Sequence, residues 1–238
     1  MKRLKAIIEY DGTDFFGWQI QPDKVTVQGS IEQALVRITG EGIRIRGAGR
    51  TDAGVHASGQ TASFDYTGKL TIRRLLDAVN AVLPDSILIR GLSEVAPGFD
   101  VRDCLYKVYV YRIVIGKSPL RRRTFWEYPC PLNQSRMEEG AHSLEGTHDY
   151  AALCEVEGKS PEITVDSVKV SRHDDEICIR VKGRGFLYKM VRRMVGIITD
   201  CGRGKLEPQM IEELFSPVKP VQVQTAPAHG LILEEVVY

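Results

Sequence analysis

An aspartate held between glycines, with an arginine two residues before it, is the arrangement in this chain best suited to chemistry. The run is Gly49-Arg50-Thr51-Asp52-Ala53-Gly54. In extended backbone, residues i and i+2 project to the same side, so Arg50 and Asp52 are expected to be neighbours. A guanidinium beside a carboxylate favours its charged form, and an ionised carboxylate on a rigid turn is suited to nucleophilic attack. The same acid also has a plainer use, because Asp side chains stabilise tight turns. On residue types alone both readings stand, and the turn is the commoner one.

A phosphate loop is the other chemistry that Gly47-Ala48-Gly49 after a strand brings to mind. Asp52 occupies the third glycine position of GxGxxG, no helix is expected to open after it, and the Lys-Ser/Thr of a Walker loop is absent. The five cysteines are scattered, odd in number and never spaced Cys-x-x-Cys, which argues against a disulfide framework or a zinc site and for a reduced cytoplasm. No cofactor and no metal are expected. No apolar run approaches the roughly 20 residues that span a bilayer, and the Met-Lys-Arg-Leu-Lys start leads into a strand.

Periodicity predicts the elements that must position Asp52. Arg3–Tyr10 alternates as a strand, Val27–Thr39 carries a helical apolar stripe, and strands at Ile43–Ala48 and Gln60–Tyr66 flank the 49–59 loop. A helix over Ile72–Leu83, stopped by Pro84, and a strand over Ser86–Leu92 follow. The order is β-α-β-β-α-β, that of the ferredoxin-like unit. The second half repeats it in architecture: strand Leu105–Ile115, helix Arg136–Leu144, hairpin Ile163–Ser171 with Glu176–Lys182, helix Gly185–Cys201, short helix Ile211–Phe215 and strand Leu231–Val237. The expected fold is α+β, two ferredoxin-like halves (1–98 and 99–238) whose antiparallel sheets join side by side around a central basic cleft.

The 238 residues carry a net charge of +1, which does not by itself point to a nucleic-acid partner. The distribution does. Residues 101–130 hold seven basic and two acidic side chains and residues 176–205 hold eight and two, between acidic stretches. Two such blocks brought together make a positive groove, though alternating solvated faces would look the same.

The Asp52 run and six further blocks, in order along nearly the whole chain, carry a resemblance. Ala48-Gly49-Arg50-Thr51-Asp52-Ala53-Gly54-Val55-His56 is similar to the catalytic signature of TruA-type tRNA pseudouridine synthases. Glu9-Tyr10-Asp11-Gly12-Thr13 with Gly17-Trp18-Gln19 resembles the family's first-strand motif. Asn80-Ala81-Val82-Leu83-Pro84 resembles its Asn-x-x-Leu-Pro block, and Tyr109-Val110-Tyr111 its Tyr-x-Tyr strand. Gly146-Thr147-His148-Asp149-Tyr150, Phe186-Leu187-Tyr188-Lys189-Met190-Val191-Arg192 and Ala226-Pro227-Ala228-His229-Gly230-Leu231 resemble its later segments. Before the Tyr-x-Tyr strand the family shows Phe-His-Ala-Arg, where this chain has Phe99-Asp100-Val101-Arg102.

The resemblance implies an isomerase that converts uridine to pseudouridine in the tRNA anticodon stem-loop, at positions 38–40, without cofactor or metal. It implies that Asp52 attacks a flipped nucleoside covalently, at the sugar C1′ or the base C6. Arg50 would fill the space the base leaves, Tyr109 would stack on the base and take part in proton removal from C5, and Arg192 would pair with Asp52. Tyr111, Lys189, Arg193 and Arg102 are the expected substrate-binding residues. By residue type alone, Tyr109 and Tyr111 also read as a buried sheet stripe and Arg192 as a solvated side chain, while His56 is read as structural. A homodimer is implied as well. A related synthase with another RNA target and a non-catalytic RNA-binding module are the competing readings.

Overall fold

The computed structural model describes residues 1–154, 162–215 and 223–238. They form an α+β protein, with ten strands and five α-helices among the described residues. The chain divides into two compact units, residues 1–105 with 233–238 and residues 106–232.

The first unit runs β1 (Lys2–Tyr10), α1 (Val27–Thr39), β2 (Arg46–Gly47), β3 (His56–Tyr66), α2 (Ile72–Asn80) and β4 (Ile87–Val95). Strand β1 lies between β3 and β4, antiparallel to both, and β2 pairs with β3. On β1, Leu4, Ala6, Ile8 and Tyr10 are buried in strict alternation, the signature of one face packed on a core. Helix α1 buries Val27, Ile31, Ala34 and Leu35, and α2 buries Leu75 and Val79. Each of these valines, leucines and isoleucines contributes about 1.5–3 kcal/mol on burial. Thr26 and Thr71 cap the two helices by accepting from Gly29 N–H and Arg74 N–H.

Three of the expected boundaries that move do so for a clear local reason. The strand expected over Ile43–Ala48 shrinks to Arg46–Gly47 because helix α1 takes over its backbone: Glu32 accepts from Ile45 N–H at 3.0 Å and Gln28 donates to the Ile45 carbonyl at 3.1 Å. Helix α2 ends at Asn80, short of Leu83, where the Asn80 amide bonds both the N–H and the carbonyl of Ile89 at 2.9 Å. Strand β3 starts at His56, four residues before the expected Gln60, because Ala57 already pairs with Tyr10.

The second unit runs β5 (Tyr106–Ile115), β6 (Trp126–Tyr128), α3 (Gln134–His142), β7 (Gly146–Asp149), β8 (Glu162–His173), β9 (Glu176–Gly183), α4 (Met190–Gly202) and α5 (Ile211–Leu214). The last strand, β10 (Leu231–Val237), starts in this unit and ends in the first. Strands β5, β9, β8 and β7 are antiparallel neighbours in that order, and the unforeseen β6 runs parallel beside β5. Helix α4 begins at Met190 and not at Gly185, because Lys189 before it has a φ of 61° and breaks the helical path.

Candidate active site

The turn that carries Asp52 joins β2 to β3, and the first unit grips it from several directions. Trp18 N–H donates to the Thr51 carbonyl and Val55 N–H to the Asp52 carbonyl, each at 3.1 Å, while Gly54 N–H donates to the Phe15 carbonyl at 3.3 Å. Below the turn, the Tyr10 and Thr51 hydroxyls are 2.8 Å apart. The Gln60 amide donates to the Gly49 carbonyl at 2.9 Å. Tyr10, Thr51 and Gln60 are all buried, so these hydrogen bonds lie in a low-dielectric place, where each is stronger than in water.

Gly17 explains how the backbones come so close. Its φ is +85°, and a Cβ there would lie 2.6 Å from the Thr51 carbonyl oxygen. No other residue fits without moving the turn. The outcome is a turn whose main chain is fixed at Gly49, Thr51, Asp52 and Gly54. Asp52 itself is half-buried and Arg50 is exposed.

His56, at the start of β3, is buried with Nδ1 3.0 Å from Gly12 N–H and 3.1 Å from Asp11 Oδ1. A ring nitrogen that accepts from Gly12 cannot also donate to Asp11. The fixed backbone donor decides for the acceptor role, and His56 serves the turn.

In the second unit, Tyr109 and Tyr111 stand two residues apart on β5, and both are buried. Tyr109 meets the Phe186 ring edge-on, with centroids 5.3 Å apart. Tyr111 is fully enclosed: its hydroxyl donates to the Pro227 carbonyl at 2.8 Å, and a Cβ on Gly230 would lie 2.6 Å from its ring. Burial pushes the Tyr111 pKa up, with the charge of Arg192 acting the other way. Arg192, in the first turn of α4, donates from Nε to the Ala226 carbonyl at 2.8 Å, and Ala226 N–H donates back to the Arg192 carbonyl at 3.1 Å. The 226–230 segment thus fastens Arg192 and Tyr111 to one piece of chain.

Lys189, in its left-handed conformation, places its amine 4.9 Å from the Tyr188 ring centroid. Arg193 donates to the Cys154 carbonyl at 3.0 Å. Part of the basic surplus is spent inside the unit. Arg121 bridges Asp175 at 2.6 Å and Glu176 at 2.7 Å across the β8–β9 turn, and Lys182 sits 3.9 Å over the Tyr106 ring.

Of the expected site residues, Arg50, Asp52 and Arg102 fall in the first unit, where Arg50 and Arg102 line one cavity of about 790 Å³. Tyr109, Tyr111, Lys189, Arg192 and Arg193 fall in the second. Reasoning from residue types missed Tyr10, Gln60 and the Ala226-Pro227 carbonyls.

Comparisons with known proteins agree among themselves. A family profile described as tRNA pseudouridine synthase matches residues 6–102 and 141–238. A protein named tRNA pseudouridine synthase A from Brevibacillus brevis is 42% identical over 247 residues, covering 100% of both chains. Proteins of the same name from Pelobacter propionicus and a Thermotoga species are 40% and 39% identical, again over 100% of both chains. Among solved structures, an archaeal box H/ACA sRNP Nop10-Cbf5 complex gives a TM-score of 0.36 at 14% identity, over 83% of this chain and 42% of that one; no conclusion follows from so low a likeness.

Proposed function

The chain belongs to the tRNA pseudouridine synthase family, isomerases that convert uridine to pseudouridine in tRNA, and from that premise we propose that Asp52 is its nucleophile and the tRNA anticodon stem-loop, at positions 38–40, its target. The observation that carries the assignment is the turn itself. A half-buried carboxylate stands on a main chain fixed by three backbone hydrogen bonds and two buried side-chain contacts. Such rigidity suits a group that must meet a reacting carbon in one orientation.

The reaction is balanced without any added reagent. Asp52 forms a bond to C1′ or to C6, the N1–C1′ bond breaks, the freed base turns, and C5 joins C1′. The C5 proton leaves, the bond to Asp52 is broken, and N1 ends protonated, so product and substrate are isomers. Before this the uridine leaves its stack, and Arg50, exposed beside the turn, occupies the vacated space. Tyr109 is the residue proposed to stack on the base and assist proton removal. Tyr111, enclosed and with its hydroxyl donating to the Pro227 carbonyl, is proposed to serve the substrate site by holding the segment that anchors Arg192.

Lys189, Arg193 and Arg102 are proposed to contact RNA. We propose further that each half is built on one ferredoxin-like unit, with β6 and β7 additions in the second, and that the protein works as a cytoplasmic homodimer. Sedimentation of the purified chain tests the dimer.

Incubation with tRNA tritiated at uridine C5 tests the chemistry. The protein should release tritium, and Asp52→Asn should release none while still binding tRNA. Full release by that variant would overturn the nucleophile. Mapping the product by carbodiimide-blocked primer extension locates the modified positions.

A further inference from the structure

The cavity beside the Asp52 turn has a lining unlike the rest of the first unit. Arg3, Arg44, Arg46, Arg50 and Arg102 line it, against the single acid Asp65. Three of these arginines have carboxylate partners: Arg3 with Asp65 at 3.3 Å, Arg44 with Glu32 at 3.2 Å and Arg102 with Asp100 at 3.0 Å. Arg46 and Arg50 are exposed and make no ion pair among the described residues. Arg3 Nε is buried and makes no hydrogen bond.

The arrangement follows from the chain's local pattern. Ile43 and Ile45 are buried while Arg44 and Arg46 are exposed, so the two guanidinium groups leave the same side. Residues two apart in extended chain are separated by about 6.6 Å, a step that successive phosphates of a nucleic-acid strand can follow. The sole aromatic in the lining, Trp18, is 2% exposed and offers no face for a base to stack on. A positive groove with no stacking surface reads backbone and not bases.

We infer that this groove holds the RNA phosphates flanking the reacting uridine, with Arg46 as a main contact and Arg50 at the end nearest Asp52. Arg46 feels the Asp100 carboxylate but forms no ion pair among the described residues. The inference rests on tRNA being the substrate, and it gives the RNA a track on residues of the first unit, to which Arg102 of the 101–130 block also contributes.

The test measures dissociation constants of Arg46→Gln against salt, for a transcribed tRNA and for its isolated anticodon stem-loop. Each lost phosphate contact lowers the slope of log K against log salt by about 0.7–0.9. Binding to both RNAs should weaken several-fold with that change of slope, and the catalytic loss should fall on KM more than on kcat. Arg73→Gln, an exposed α2 residue paired with Asp77, removes the same charge elsewhere and should leave the slope unchanged. An Arg46→Gln slope equal to wild type overturns the groove, and a change seen only with full-length tRNA overturns its place beside the target. If wild type binds with the expected slope but converts no uridine, the functional reading fails while the groove stands.

Discussion

The hydroxyls of Tyr10 and Thr51 meet at 2.8 Å in a buried place, and this contact ties the end of the first strand to the turn that carries Asp52. Desolvation pushes the Tyr10 pKa up, more than its hydrogen bonds with Thr51 and Gln60 bring it down. Tyr10 therefore stays a hydroxyl at neutral pH and acts on the turn by hydrogen bonding alone.

Tyr10→Phe should cost stability and activity together. Removing the hydroxyl leaves Thr51 Oγ1 buried without this partner, which costs about 1–3 kcal/mol, read as a lowered denaturation midpoint. Because the turn loses a fixed point, kcat should fall while KM for tRNA holds. Adding Thr51→Val removes the stranded group, so the double variant should be less damaged than the sum of the singles by at least about 0.5 kcal/mol. Additive losses would mean that the two hydroxyls act independently.

Gly17→Ala is expected to damage catalysis out of proportion to its size. The new methyl would lie 2.6 Å from the Thr51 carbonyl oxygen, on a residue whose φ of +85° already disfavours a Cβ. The turn must then shift, and a displacement near 1 Å costs a catalytic site on the order of 100-fold. Circular dichroism should show a folded protein, tRNA binding should persist, and tritium release should collapse. An active Gly17→Ala enzyme would show that the turn tolerates movement.

The two tyrosines of β5 should separate into different defects. Tyr111→Phe removes the donor to the half-buried Pro227 carbonyl and should lower stability by about 1 kcal/mol, with a secondary fall in kcat as the Arg192 anchor loosens. Tyr109→Phe keeps the edge-on packing against Phe186, so kcat should fall far more than any loss of melting temperature accounts for. A melting loss with kcat unchanged would return Tyr109 to the role of a packing residue.

Much of this was legible in residue order, and the parts that were not share a cause. Strand β1 and helix α1 follow from alternation and a helical stripe because their burial is set by one face. The boundaries at Ile43–Ala48 and Asn80 were hidden because side chains of another element, Gln28, Glu32 and Asn80 itself, replace ladder or helical partners. Lys189 was placed inside a helix because nothing in a lysine announces a left-handed backbone. The candidate site was visible as a motif, yet its supports were not. Tyr10, Gln60 and the Ala226-Pro227 carbonyls act through contacts 34 to 116 residues apart in sequence, apart from the nearer Gln60–Gly49 pair. Blocks that looked functional also include packing: His148 stacks on Phe215 with centroids 4.1 Å apart, and the Tyr150 hydroxyl donates to the Leu144 carbonyl.

Asp100 should act as a brake on Arg102, and the pH range in which it does so follows from its ionisation. The Arg102 hydrogen bond lowers the Asp100 carboxyl from its ordinary 3.8 to about 2. A group with a lowered folded-state pKa contributes its interaction fully above the unfolded value and loses it as pH falls through the folded value. The pair is therefore intact from pH 5 to 8 and opens only near pH 2, so no physiological pH change releases Arg102. Only substitution, or an RNA phosphate competing for the guanidinium, can do so. Asp100→Asn should tighten tRNA binding several-fold and steepen the salt slope by about 0.7–0.9 as Arg102 gains a phosphate. A carboxyl-carbon NMR titration of the wild type should place the Asp100 midpoint near 2. A midpoint at 3.8, or an Asp100→Asn slope equal to wild type, would show that Arg102 is not withheld from the groove.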